Sequence, residues 1–226
     1  DSSTSRGLGD VYKRQLYYNM SNTFATANAS NNYNNLNWSG AMAGLAGQFG
    51  FAEKAVTFVD NHDTFVQNSA FLGVNIPKAY TYILTHPGIP SVFAPHYFGG
   101  TYTKDGVTRT YSTANKPIIE KLMAIRKSAG IDAYSHINID KSENGIYAAY
   151  ILKRSGDAEP KIAMKIGPYD WTPAGSGWTQ VISSPDNQYA VWTKTAVNVP
   201  PVIQINEPSG TSVSYTHLTL PTKRIV

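Results

Sequence analysis

Near residue 130 the hydrophobic period of this chain changes, and that change sets its fold class. Before it, the run Ala55–Val59 has the length and β-branched content of a buried parallel strand. Ile76, Ala79, Tyr80, Ile83 and Leu84 then fall at i, i+3, i+4, i+7 and i+8, a helical stripe with Asn75 as its expected cap, Pro77 in its first turn and Gly88 past its end. A second apolar run, Ile89–Ala94, carries Pro90 at its start, where a strand tolerates it. Another stripe, Ile118, Leu122, Ile125 and Ala129, opens near Pro117 and stops at Gly130. Strand, helix, strand, helix is the repeat of a parallel α/β fold. From Ile131 onward the runs are short: His136–Ile139, Ile146–Leu152, Ile162–Ile166, Gly177–Ile182 and Tyr189–Thr193. Between them lie turn-rich segments such as Ser142-Glu143-Asn144-Gly145, so this part reads as an antiparallel β domain. Leu16, Tyr17, Met20 and Phe24 share one helical face, Asn28–Asn37 reads as a loop, and Phe98–Ala114 reads as irregular.

At 226 residues and 42% hydrophobic content the chain can bury one large core or two small ones. No apolar run approaches the roughly 18 residues of a membrane span. The absence of cysteine excludes disulfides and thiolate metal sites and fits either redox compartment. A net charge of +4 would prompt a search for nucleic acid. Yet Arg6, Lys13, Arg14, Lys223 and Arg224, against Asp1 and Asp10, place most of it at the two ends, and the nucleic-acid reading loses its support. Those ends, residues 1–15 and 213–226, resemble translated sequencing-adapter runs and are set aside from fold reasoning. Pro200-Pro201 and Glu207-Pro208-Ser209-Gly210 mark residues 197–212 as a linker.

Directly behind the first strand stands Phe58-Val59-Asp60-Asn61-His62-Asp63-Thr64. Polar groups at the C-terminal end of such a strand are where α/β barrels keep their chemistry. Asp and Asn also cap backbone groups in ordinary polar turns. His and Asp ligate metals too, although three such groups within four residues cannot all converge without distant partners.

The stretch resembles the fourth conserved region of the α-amylase family, glycoside hydrolase family 13, which reads F-V-D-N-H-D in many members. Thr85-His86-Pro87-Gly88-Ile89-Pro90-Ser91-Val92-Phe93 resembles that family's approach to its last barrel strand, and Pro95-His96-Tyr97-Phe98 the loop after it. Lys161-Ile162-Ala163-Met164-Lys165-Ile166-Gly167-Pro168-Tyr169-Asp170 and Tyr189-Ala190-Val191-Trp192 are similar to the all-β C-terminal domain of plant-type α-amylases. The resemblance spans roughly residues 16–196. It implies the C-terminal portion of a (β/α)₈ barrel over residues 16–130 and the antiparallel β C-terminal domain over 131–196.

The resemblance further implies a retaining enzyme that cleaves internal α-1,4 bonds of starch or glycogen. Related α-glucosidases, transglycosylases and branching enzymes share the same motif. Asp63 would be the family carboxylate that stabilises the distorted transition state, and His62 would bond the same sugar; such contacts strengthen as the ring flattens. Asp60 and Asn61 would support the loop. His96 would line the cleft or pack among aromatics. Retaining hydrolysis needs two carboxyl groups roughly 5 Å apart, and Asp60 and Asp63, three residues apart across a strand-to-loop junction, cannot be assumed to face one bond. The family's nucleophilic Asp and acid/base Glu belong to earlier barrel strands, and no other acid between residues 16 and 212 sits in a comparable context. Glu120, for one, falls on the last helix, in the barrel's outer ring. The chain by itself is therefore expected to be inactive.

Calcium is implied for the intact enzyme, with no ligands identifiable in this chain. The resemblance also implies an α-glucan as partner, a monomer, no membrane, and an extracellular or periplasmic parent. An alternative of another class is a non-catalytic α-glucan-binding module, in which Trp171, Trp178 and Trp192 stack on sugars rather than pack between strands. Two parallel strands without neighbours leave unpaired edges, so residues 131–196 are expected to fold better than residues 16–130.

Overall fold

The computed structural model describes residues 14–27, 29–38, 43–48 and 50–194. The expected linker 197–212, the C-terminal tail 213–226 and most of the N-terminal tail lie outside the described residues. A helix over residues 14–20 (α1) runs into a wider π turn, Ser21–Ala25, and buries Leu16, Tyr17, Met20 and Phe24.

Strand β1 (Val56–Phe58) pairs in parallel with β2 (Ile89–Ser91), with Val56 opposite Ile89 and Phe58 opposite Ser91. Helix α2 (Asn75–Thr85) makes the crossover between them. Among the described residues this pair is not extended into a closed barrel. The sequence stripe predicts one apolar face for α2, yet every residue from Ile76 to Thr85 is buried. The helix is enclosed because the five-stranded sheet covers the side that a lone helix would turn to water. Its threonine hydroxyls are satisfied within the helix: Thr81 Oγ1 donates to Pro77 O and Thr85 Oγ1 to Thr81 O. Asn75 is the first helical residue and not the cap; Val74 holds that position and offers no side-chain acceptor.

Pro95–Phe98, expected as a loop, forms the short helix α3 (Ala94–Phe98), with Pro95 in its first turn, where its missing N–H is harmless. The stretch read as irregular contains a β-hairpin, β3 (Gly100–Lys104) and β4 (Val107–Tyr111). Its turn is Asp105-Gly106, with φ of 50° and 79°. Two left-handed residues in succession make the turn whose twist suits a two-residue hairpin, which is why Gly stands second. Helix α4 (Asn115–Ala129) buries Ile119, Leu122, Ile125 and Ala129 and ends at Gly130. None of the helices described is long and apolar enough to cross a membrane.

The second part is an antiparallel sheet of β5 (His136–Glu143), β6 (Ile146–Leu152), β7 (Ile162–Ile166), β8 (Thr179–Ser183) and β9 (Tyr189–Thr193), in the order β5-β6-β7-β9-β8. One face of β6, β7 and β9, including Tyr147, Ala149, Ile151, Met164 and Val191, joins the same hydrophobic cluster as Leu16, Ile83 and Leu122. The two parts therefore share one core. On the other face Ala163 and Ala190 leave room for aromatic rings. Trp171 stands 5.5 Å from Trp192 and 5.6 Å from Tyr150, while Trp178 lies 5.9 Å from Tyr150. The indole N–H of Trp171 donates to Asp140 Oδ2 and that of Trp178 to Ala174 O, so these rings serve packing.

Candidate functional site

The polar cluster follows β1 directly. Val59 is fully buried and the chain then turns outward through Asp60-Asn61-His62-Asp63 into a 3₁₀ turn, Thr64–Val66. Asn61 makes this turn locally: its Oδ1 accepts from the backbone N–H of Asp63 at 2.8 Å and of Thr64 at 3.0 Å. Thr64 Oγ1 accepts from Asn61 N and donates to Asp60 Oδ1 at 2.6 Å.

Asp60 is the anchor beneath the loop, only 2% exposed. Its Oδ2 accepts from Phe71 N at 2.8 Å, tying the loop's start to its far end. His96, from α3, is fully buried and does not line a cleft. Its Nε2 stands 3.3 Å from Asp60 Oδ2 and its Nδ1 3.3 Å from Tyr80 Oη, because α3 packs its inner side against the root of the loop. Burial and the Asp60 carboxylate together push the phenols of Tyr17, Tyr80 and Tyr111 upward, so Asp60 sits among neutral hydroxyls and rings.

His62 and Asp63 face outward, their side chains 59% and 44% exposed, with His62 Nε2 3.2 Å from Asp63 Oδ1. The second oxygen of Asp63 meets Arg14 at 3.1 Å. Arg14 lies in the stretch set aside as a tail, at the start of α1. The structure thus divides the motif: Asp60 is structural and inward, whereas His62 and Asp63 present a charged, hydrogen-bonding edge to solvent. Among the described residues no group of three His, Cys, Asp or Glu side chains is placed to hold a metal ion.

The hairpin β3–β4 closes one side of this edge. Lys104 donates to the carbonyl of His62 at 2.6 Å. Arg109 donates from Nε to Phe65 O at 2.6 Å and from Nη2 to Gln67 O at 2.8 Å, with its guanidinium 5.9 Å from the Phe65 ring. These two basic residues were not among those expected from the sequence. They lie some forty residues from the loop they hold, and only the Asp105-Gly106 turn signal hinted at the hairpin.

Comparison with known proteins gives this geometry its context. A family model, the alpha-amylase C-terminal beta-sheet domain, matches residues 128–193, the end of α4 and the five-stranded sheet. The alpha-amylase type B isozyme of Hordeum vulgare is 33% identical over 144 residues, covering 62% of this chain and 80% of that protein. The chain belongs to the α-amylase family. A probable alpha-amylase 2 of Arabidopsis thaliana is 36% identical over 143 residues, 62% of this chain but 30% of its own length. A glucan 1,4-alpha-maltotetraohydrolase of Stutzerimonas stutzeri is 28% identical over 151 residues, again 62% of this chain and 24% of that protein. Thus the chain spans less than a third of the Arabidopsis relative. Each α-amylase-family alignment is more than twice as long as the sheet-domain match, so the likeness reaches beyond the sheet into the helix-containing part.

Proposed function

We propose that this chain is the C-terminal part of a retaining α-amylase that hydrolyses internal α-1,4-glucosidic bonds of starch or glycogen, and that its own share of the site is to grip the sugar at the cleavage point. The observation that carries this reading is the outward pair His62 and Asp63 on a loop pinned from beneath by Asp60 and Asn61. A sugar ring that flattens toward an oxocarbenium ion moves its hydroxyls and gains positive charge. A carboxylate and an imidazole held beside it bind that state better than the ground state.

The same geometry argues that the chain alone does not hydrolyse starch. A retaining mechanism needs two carboxyl groups roughly 5 Å apart on either side of one bond. Asp60, the nearest acid in sequence, is buried and already accepts from Thr64 and Phe71.

Two measurements on the full chain test this. Incubation with soluble starch is expected to release no reducing sugar, and endo-activity abolished by Asp63→Asn would overturn the inactivity. Titration with maltotetraose is expected to show weak binding that falls at least about tenfold in His62→Ala and Asp63→Asn, an effect of the size of one charge-assisted hydrogen bond. Binding indifferent to both substitutions would overturn the gripping role.

A further inference from the structure

Beyond His62 and Asp63 themselves, we propose that the β3–β4 hairpin is a second wall of the glucan path, with the Tyr102–Lys104 edge forming a specificity-determining contact beside the gripped sugar. Three observations carry it. First, the hairpin is fastened to the loop and not merely near it, through Lys104 on the His62 carbonyl and Arg109 on the carbonyls of Phe65 and Gln67. Second, a narrow recess lies between the two elements, with His62 on one side, Tyr102, Thr103 and Lys104 on the other, and Phe65 and Phe93 on its floor.

Third, the two faces of the hairpin differ. Thr101 pairs its hydroxyl with Thr110, and Thr103 with Thr108, on the exposed face. Tyr102, Lys104, Val107 and Arg109 are half-buried on the other, and Tyr102 fixes its own ring by donating to Gly99 O at 2.9 Å.

Aromatic rings beside an ammonium donor suit a glucose unit, which offers an apolar C–H face and a periphery of hydroxyl acceptors. The recess is small, with room for a group about the size of a water molecule, and not for a ring. Its lining is almost wholly apolar, so it fits the methylene of an exocyclic hydroxymethyl whose hydroxyl and sugar ring stay at its mouth. Lys104 would then act twice, setting the carbonyl of His62 and bonding the substrate, which makes it both a positioning and a specificity residue.

This inference rests on the reading of His62 and Asp63 as glucan-gripping groups, and the experiment separates the two. The full chain is titrated with maltotetraose while its backbone amides are followed by NMR. Unchanged spectra of the free variants away from the substituted positions establish that they fold. Amide shifts at Tyr102–Lys104 are expected alongside those at His62 and Asp63. Affinity is expected to fall about three- to tenfold in Lys104→Met and in Tyr102→Ala, and to stay unchanged in Thr101→Ala on the outer face. If His62→Ala loses binding while Lys104→Met and Tyr102→Ala bind as wild type and the hairpin amides stay still, the hairpin proposal is overturned and the gripping role stands. If the wild-type chain does not bind maltotetraose, or binds it independently of His62, both fall.

Discussion

Asp60 shows how one carboxylate in this motif is diverted from chemistry to architecture. It is enclosed, accepts from a hydroxyl and a backbone N–H, and faces His96. Removing it by Asp60→Ala strands the Phe71 N–H and the Thr64 hydroxyl in the interior. A loss of about 2–3 kcal/mol in urea unfolding is expected, together with displaced NMR signals of His62. A change below about 0.5 kcal/mol with His62 undisturbed would show that the loop does not depend on it. His86 supplies a second residue-scale prediction. Burial, with the Arg126 charge adding to it, lowers its pKa to about 3. Its Nε2 meets Tyr147 Oη at 2.8 Å. An unfolded imidazole binds its proton near pH 6.5, so between these values the unfolded state holds more protons than the folded one. Stability is whole above about pH 6.5 and declines as pH falls toward 3, with a slope of up to about 1.4 kcal/mol per pH unit from this group. Urea midpoints between pH 6.5 and 5 should follow that slope in the wild type and flatten in His86→Gln; equal slopes in both would sink the assignment.

At the scale of elements, close backbone approach decides one position. Gly167 follows β7 at φ 113°, and a Cβ built there would stand 2.1 Å from Gly145 O, in the turn between β5 and β6. Neither backbone can yield without breaking its strand. Lys165 crowds the same corner, its buried ammonium donating to the carbonyls of Gly167, Tyr169 and Asn187. Gly167→Ala is therefore expected to destabilise by about 2–4 kcal/mol, whereas Gly156→Ala, at a loop position with open space, pays only for its own positive φ, about 1 kcal/mol. Comparable thermal shifts for the two variants would contradict this. The strands around that corner could be read from sequence, because Ile162–Ile166 and Tyr189–Thr193 are apolar runs bounded by turn residues. The β3–β4 hairpin could not be read by hydrophobic period, since Thr101, Thr103, Thr108 and Thr110 form its outer face and its inner face mixes Tyr, Lys, Val and Arg. In the site, the Asp60–Thr64 motif was visible as a string. Lys104 and Arg109 were not, because each depends on contacts between elements distant in the chain; for His96, packing among aromatics was one of two readings open in the sequence, and its burial against Asp60 decides between them.

Across the whole molecule, the governing fact is the shared core. Helix α2 is enclosed because the sheet lies against it, and specific groups stitch the two together. His86 bonds Tyr147, the rings of Tyr82 and Tyr147 meet at 5.3 Å, and Lys78, its pKa lowered to about 8 by burial, donates to Gln188 at 2.9 Å. Arg126 of α4 also closes the end of α2, donating to the carbonyls of Leu84, His86 and Gly88. An expectation that the β part folds better by itself treats its sheet as having one satisfied core, yet its face bearing Tyr147, Ala149, Ile151, Met164 and Val191 is completed by residues before position 130. Cutting the chain to residues 131–194 exposes that face, which is apolar and contiguous enough to drive association. The shortened chain is expected to bind a hydrophobic dye, to unfold with a broad thermal transition and to form soluble aggregates at concentrations where the full chain gives one sharp transition. A monodisperse 131–194 chain that melts as cooperatively as the full protein would show instead that the sheet is self-sufficient and that α2 merely leans on it.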